Sequence, residues 1–242
     1  MLNCAAMTRL RPVRSTGARV LRAVVIVAVL VLLLPYALVL VYRFVDPASV
    51  PMAWRWINGM RVHRTWVPLD RMAPTLPLAV LASEDARFCR HFGIDLRELK
   101  NAIEGADDIT GMRGGSTITQ QTAKNLFLWQ GRSIVRKVIE APLAIWIDLV
   151  LPKRRVLEIY LNIAQWGPTG QFGVEAGARR AFDKSVRGLD EEEAALLAAV
   201  LPSPVRRNAR QPGPGMRRVA ARIQAKAASF PDIDACVRSS RP

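Results

Sequence analysis

Two adjacent carboxylates, Glu84 and Asp85, end an apolar stretch within the segment ASEDARFCRHFGID. Adjacent positions of a helix do not share a face, so one carboxylate can face a cleft while the other holds structure. A partly desolvated carboxylate has a raised pKa and suits general acid–base catalysis. Glu84 is therefore a candidate catalytic base, although such a pair is also typical of a solvated helix end.

A second polar segment, GGSTITQQTAKNLFL, spans residues 114–128. The Gly114–Gly115 pair allows close backbone approach, and Thr117 with Gln120 fits a capping box at the start of a helix. A helix N-terminus with hydroxyl, amide and ammonium groups can bind a phosphate or a sugar. The groups available are Ser116, Thr117, Thr119, Gln120, Gln121 and Lys124. The alternative is a simple glycine-turn-helix junction with a polar face.

Two further segments carry charge at helical spacing. In GRSIVRKVIEAPLAIWI, Arg132, Arg136 and Lys137 precede Glu140. The i,i+4 spacing of Arg136 and Glu140 predicts a surface ion pair worth about 0.3–0.5 kcal/mol. The segment LPKRRVLEIYLNIAQWG permits a similar pair and is interpreted as architecture without a catalytic residue.

These four segments, in this order between about Trp66 and Pro204, resemble the signatures of the peptidoglycan glycosyltransferases, glycosyltransferase family 51. The stretches LPKRRVLEIYLNIAQWGP and FGVEAGARRAF are most similar to its monofunctional biosynthetic branch. Three positions depart from the usual pattern: Pro142 follows Glu140 closely, Asp148 replaces a more usual Glu, and Gln165 replaces another.

The resemblance implies a mostly α, lysozyme-like fold with a cleft between a globular lobe and a smaller membrane-embedded lobe. It implies that Glu84 deprotonates the 4-hydroxyl of lipid II, which attacks the anomeric carbon of the growing lipid-linked glycan chain with inversion. Undecaprenyl diphosphate then leaves.

The same resemblance assigns roles to the other site residues. Lys124, Arg132 and Lys137 would neutralise the leaving diphosphate. Glu140 would be a second catalytic carboxylate in the cleft, which binds the acceptor or positions a cation. The remaining residues expected to contact substrate are Ser116, Thr117, Gln120, Gln121, Asp85 and His91. A divalent cation, Mg²⁺ or Mn²⁺, is expected to bridge the diphosphate, although the sequence shows no ligand cage and the substrate phosphates would supply most ligands.

Hydrophobic periodicity predicts helices and almost no strands. The predicted helices are Leu78 to Ala86, Leu96 to Glu104, Ile118 to Leu128, Ile134 to Leu149, Val156 to Ile163, Gly173 to Phe182, Asp190 to Leu201 and Met216 to Phe230. The predicted organisation is a basic tail (1–22), a transmembrane anchor (23–42), an irregular connector rich in Pro and Trp (43–76), the glycosyltransferase domain (77–230) and a frayed tail (231–242).

The anchor AVVIVAVLVLLLPYALVLVY has no charged residue and is 20 residues long, which matches the roughly 30 Å hydrocarbon core. Arginines precede it without any acidic residue, which predicts a cytoplasmic N-terminus and a periplasmic catalytic domain at the inner membrane. A cleaved signal peptide is the alternative, but its apolar region is usually about 7–15 residues long.

The chain of 242 residues carries 35 Lys and Arg against 20 Asp and Glu, a net charge of +15. Such a surface attracts polyanions, and beside a membrane it favours anionic lipid or a lipid-linked phosphate rather than nucleic acid. Other cell-wall synthesis or division proteins are further candidate partners. The three cysteines lie too far apart for a metal cluster. Cys89 and Cys236 could form a disulfide in an oxidising compartment, but unpaired thiols are the favoured expectation.

Two other functions fit parts of the pattern. A lytic, lysozyme-like hydrolase would cut the same polymer, but it has less use for an anchor and a set of phosphate-binding cations. A catalytically silent membrane protein would bind precursor or act as a scaffold, but the joint presence of Glu84, Glu140 and Lys124 argues against it.

Overall fold

Ten α-helices account for most of the chain in this computed structural model, which describes residues 16–104, 115–131, 133–229 and 234–237. Within those ranges there are three isolated β-bridges and no strand, so the predicted mostly α fold is confirmed. The helices are α1 (Thr16–Val41), α2 (Val50–Ile57), α3 (Thr75–Glu84), α4 (Leu96–Glu104), α5 (Ile118–Phe127), α6 (Ile134–Val150), α7 (Lys153–Ile163), α8 (Val174–Phe182), α9 (Glu191–Ala198) and α10 (Pro214–Ser229).

Helix α1 is a single membrane anchor at the N-terminus. Its segment Gly17–Val41 is long and apolar enough to cross a bilayer, and most of its side chains are exposed. Pro35 lies inside the helix without ending it. The helix begins at Thr16, before the predicted span of 23–42, and ends at Val41.

The anchor is attached to the rest of the protein by side chains of α6 and α7. Trp146 donates its indole N–H to the carbonyl of Tyr36 at 3.0 Å, and the two rings lie 6.1 Å apart. Arg155 donates to the carbonyls of Tyr42 and Val45 and to the carboxylate of Asp46. The C-terminal end of α1 and the residues that follow it are therefore held against α6 and α7.

The prediction of an irregular connector over residues 43–76 was wrong in part. Helix α2 lies within it, and α3 already begins at Thr75. Pro51 suggested a break, but Pro is tolerated in the first turn of a helix, where its missing N–H has no partner to lose. Trp54 and Trp56 are exposed, whereas Trp66 packs against the core.

The hydrophobic core is built around α3, α7 and α9. Helix α3 is buried along most of its length, as is the centre of α7, and α9 contributes a run of buried Ala and Leu. Helix α5 packs against α6 and α7, whereas α10 packs against α3 and α9. Residues at the C-terminal end of α3, just before α5 and on α10 line one cavity.

Cys89 and Cys236 form a disulfide, which corrects the expectation of unpaired thiols. The bond joins the loop after α3 to a turn at residues 234–237, so this part of the predicted frayed tail is packed against the domain. Arg154 also donates to the carbonyl of Val237 at 3.0 Å. The remaining residues of the predicted tail lie outside the described ranges.

We expect Cys236→Ser to lower the free energy of unfolding by about 2–4 kcal/mol, because the disulfide closes a loop of 147 residues in the unfolded chain. Thermal unfolding of the full chain in detergent, followed by circular dichroism, measures this. Reduced wild-type protein should match the variant, while Cys4→Ser should unfold like the oxidised wild type. Equal midpoints for oxidised wild type and Cys236→Ser would show that the bond does not stabilise the fold.

Candidate active site

The site is organised by the point at which α3 ends. The sequence predicted that this helix continues to Ala86, but it ends at Glu84 because Asp85 leaves the helical conformation, with φ −161° and ψ 73°. The buried carboxylate of Asp85 accepts the backbone N–H of Ile118 at 2.9 Å and lies 3.0 Å from His91 Nε2. Asp85 thus joins the end of α3 to the start of α5. Asp85 and His91 were both predicted to contact substrate, and in the structure they are bound to each other.

A lysine supports the same loop from α7. Lys153 Nζ donates to the carbonyl of His91 at 2.7 Å, lies 2.7 Å from Asp148 Oδ1, and sits over the ring of Phe88. Asp148 also accepts the hydroxyl of Thr119 at 3.4 Å. Asp148, which departs from the usual pattern, therefore still pairs with a half-buried lysine.

The capping box predicted at the start of α5 is confirmed. Thr117 Oγ1 accepts the backbone N–H of Gln120 at 3.1 Å, and Gln120 Oε1 accepts the backbone N–H of Thr117 at 3.0 Å. Thr117 also donates to the carbonyl of Gly93 at 2.6 Å. Gly93 has φ +77°, and a Cβ there would lie 2.5 Å from the carbonyl oxygen of Ala144, so only glycine fits this approach.

Glu84 is half-buried at the edge of the core, and its carboxylate is held by side chains. Gln121 donates its amide N–H to Glu84 Oε2 at 2.9 Å, and the Ser83 hydroxyl donates to Oε1 at 3.3 Å. Burial raises the pKa of Glu84, while these two hydrogen bonds and the charges of Lys124 and Arg207 oppose the shift. A carboxyl group with a raised pKa suits proton transfer in general acid–base catalysis.

Lys124 interacts electrostatically with both Glu84 and Arg136, and Arg136 pairs with Glu140. Lys124 is half-buried; burial lowers its pKa first, the Arg136 charge lowers it further, and Glu84 opposes both. Arg136 pairs with Glu140 at i,i+4 as predicted, but both side chains are buried, so the predicted surface pair is corrected to a buried one. Lys137 is exposed on α6.

A cavity of about 230 Å³ lies beside Glu84. Four predicted site residues line it, namely Glu84, Asp85, Ser116 and Thr117, together with Ser83, Ala86, Arg87, Asp95, Glu98, Gly115 and Lys226. Gln121 reaches the site through its bond to Glu84. Arg132 lies outside the described residues.

Known proteins resemble this chain in sequence over most of its length. The family model described as Transglycosylase matches residues 52–228. The chain belongs to the transglycosylase family. It is 54% identical over 223 residues to a protein of Nitrobacter hamburgensis, covering 92% of this chain and 98% of that protein. It is 56% identical over 209 residues to a protein of Nitrobacter winogradskyi (86% and 92% covered) and 46% identical over 221 residues to one of Rhizobium johnstonii (90% of each). All three are named biosynthetic peptidoglycan transglycosylase.

Sequence reasoning missed two residues of this transglycosylase site. Tyr160, on the helix interpreted as architecture, donates its hydroxyl to Gln121 Oε1 at 3.0 Å. Arg207, in the segment after α9, contributes positive charge to Glu84 and donates to the carbonyl of Ala199 at 2.6 Å. The signal for Tyr160 was a tyrosine on an apolar helix, since a buried hydroxyl needs a partner. Nothing local to Arg207 indicated its neighbour, because 123 residues separate it from Glu84.

The residues described do not fit a metal held by the protein. No group of three or more His, Cys, Asp or Glu side chains comes together in those ranges. Of the two carboxylates at the end of α3, Asp85 is already bound to His91 and to Ile118 N–H. Any cation at this site would need most of its ligands from the substrate.

Proposed function

We propose that this protein is a peptidoglycan glycosyltransferase that polymerises lipid II into glycan strands in cell-wall synthesis. The observation that carries the proposal is the half-buried Glu84 carboxylate, which lines the cavity and lies near Lys124. Membership of the transglycosylase family and the names of the relatives support the same reaction class.

Glu84 acts as the general base in the proposed reaction. It accepts the proton of the acceptor 4-hydroxyl, and the oxygen forms a bond to the anomeric carbon of the lipid-linked donor. The bond from that carbon to the diphosphate oxygen breaks, and the electron pair leaves with undecaprenyl diphosphate. A single displacement from the opposite face inverts the anomeric configuration.

The departing diphosphate needs positive charge more than a proton, since it is already a good leaving group. Lys124 is proposed to supply this charge, because it interacts electrostatically with Glu84 and with Arg136. Arg132 and Lys137 are proposed to extend the positive charge toward the diphosphate. Glu140 is paired with Arg136, so we propose that it positions this cation. Ser116 on the cavity wall is proposed to donate to substrate oxygens.

A lytic hydrolase would also use a carboxyl group of raised pKa, but as an acid that protonates the leaving oxygen. Burial is the largest effect on Glu84 and raises its pKa, so the electrostatics of this carboxyl group alone fit either role. The membrane anchor would hold the site beside a lipid-linked substrate, and the relatives are named as biosynthetic enzymes. These two features favour glycosyl transfer over hydrolysis.

We expect Glu84→Gln to reduce polymer formation from purified lipid II by a factor of about 10²–10⁴, because the amide cannot accept the proton. In the wild type, kcat/KM should rise with pH as Glu84 ionises, with a midpoint above the ordinary glutamate value of about 4.3. Gel analysis of labelled product measures both effects. The exposed Glu192→Gln serves as the control and should keep wild-type activity. Near-normal polymerisation by a folded Glu84→Gln protein would refute the role of Glu84.

A divalent cation, Mg²⁺ or Mn²⁺, is proposed to reach the site with the substrate diphosphate. Because the described residues offer no cage, we expect chelator treatment to leave the thermal unfolding of the free protein unchanged while lowering lipid II turnover. Added Mg²⁺ should restore the turnover. A chelator that lowered the unfolding midpoint of the free protein would instead indicate a metal bound by the protein itself.

The catalytic domain is proposed to lie in the periplasm, with the N-terminus in the cytoplasm, because arginines precede the anchor and acidic residues do not. A reporter enzyme that works only after export should be active when fused after Pro242. The same reporter fused before Met1 is the matched control and should be silent. The reverse pattern of activity would overturn the orientation and the access of Glu84 to exported precursor.

A further inference from the structure

Tyr160 is buried in the centre of the protein, with 1% of its surface exposed, yet its hydroxyl is directed toward the site. It donates to Gln121 Oε1 at 3.0 Å, and Gln121 Nε2 in turn donates to Glu84 Oε2 at 2.9 Å. A continuous chain of two hydrogen bonds therefore runs from α7 through α5 to the carboxylate at the end of α3.

The orientation of the Gln121 amide is fixed at both ends of this chain. An ionised carboxylate only accepts hydrogen bonds, so the amide must turn its NH₂ group toward Glu84. Its carbonyl oxygen then faces the core, where it needs a donor, and Tyr160 supplies one. A flipped amide would place its oxygen against the Glu84 carboxylate, which is unfavourable.

We propose that Tyr160 is a positioning residue for Glu84, which acts by holding the Gln121 amide in the orientation that donates to the Glu84 carboxylate. The proposal rests on the proposed role of Glu84 as the base. Tyr160 itself does not touch the substrate, since its side chain lies in the core and not on the cavity wall.

The hydroxyl of Tyr160 remains a donor throughout the working pH range. Burial raises the pKa of Tyr160 well above its ordinary value, and the negative charges of Glu84 and Asp85 raise it further. A neutral phenol in this place keeps its proton while Glu84 gains and loses one. The chain therefore orients the base without becoming a second base.

Charged and polar groups that bond to Glu84, act on it or line its cavity belong to six parts of the structure. They are Ser83, Asp85, Arg87 and Asp95 between the end of α3 and the start of α4, Glu98 on α4, Gln121 and Lys124 on α5, Tyr160 on α7, Arg207 after α9, and Lys226 on α10. Lys124 and Arg207 act on Glu84 through charge alone, whereas Gln121 is held by a directed bond. Loss of the Tyr160 hydroxyl therefore affects Glu84 through Gln121 and leaves the two cations in place.

The decisive variant is Tyr160→Phe, which keeps the ring and removes the donor. The Gln121 hydrogen bond lowers the pKa of Glu84, so weakening it raises that pKa and shifts the acid limb of the pH–rate profile to higher pH. We expect kcat for lipid II polymerisation to fall by about 5- to 20-fold below the midpoint, with KM changed less than about twofold. Above the midpoint the loss should become smaller.

Tyr42→Phe is the matched control, because it makes the same chemical change outside this chain and should leave the profile unchanged. Gln121→Met, which removes the amide at similar length, should shift the acid limb in the same direction. In the Gln121→Met background, Tyr160→Phe should have no further effect on the limb. This second route also tests the proposal if Tyr160→Phe fails to fold, as judged by thermal unfolding.

Each outcome separates the two claims. An unshifted acid limb in folded Tyr160→Phe, or in folded Gln121→Met, would overturn the positioning role even if Glu84→Gln is inactive. Additive shifts in the double variant would show that Tyr160 acts by another route and would also overturn the proposal. Full activity of Glu84→Gln would instead refute the base itself.

Discussion

The rest of the site depends on the carboxylate of Asp85. It pairs with His91 and so holds the loop that follows α3. It also accepts the first N–H of α5, which fixes the start of α5 beside the end of α3. Both oxygens are buried, and leaving these partners unpaired there would cost several kcal/mol. Because Glu84 precedes Asp85 and Gln121 follows Ile118 by three residues, this one contact sets the distance between base and amide.

The environment of Glu84 balances opposing electrostatic effects. Burial favours the neutral acid, whereas Gln121, Ser83, Lys124 and Arg207 favour the carboxylate. The pKa of Lys124 is lowered by burial and by the Arg136 charge, which both favour the neutral amine. Only Glu84 favours the charged ammonium form. Glu84 and Lys124 therefore stabilise one another's charged forms.

Local sequence signals predicted the parts of the fold that local chemistry decides. The bounds of α4 were correct, as was the capping box of Thr117 and Gln120, because both depend on residues three or four apart. Long-range contacts were the source of the errors. The spacing of Arg136 and Glu140 carries no information on burial, and the Cys89–Cys236 pair joins residues 147 positions apart. The hydrogen bond that gives Tyr160 its place likewise depends on how α7 packs against α5.

Helix α6 contacts the membrane anchor through Trp146 and approaches Lys124 through Arg136. One face carries exposed apolar side chains, including Ile134, Val138, Ile145 and Leu149, and Trp146 on the same helix donates a hydrogen bond to Tyr36 of α1. The opposite face buries Arg136 and Glu140 beside Lys124. In a lipid-linked substrate the diphosphate lies between the hydrocarbon chain and the sugar. A helix with an exposed apolar face and a buried Arg136–Glu140 pair beside Lys124 fits that order. We therefore propose that the anchor and α6 together set the depth at which the diphosphate meets Lys124.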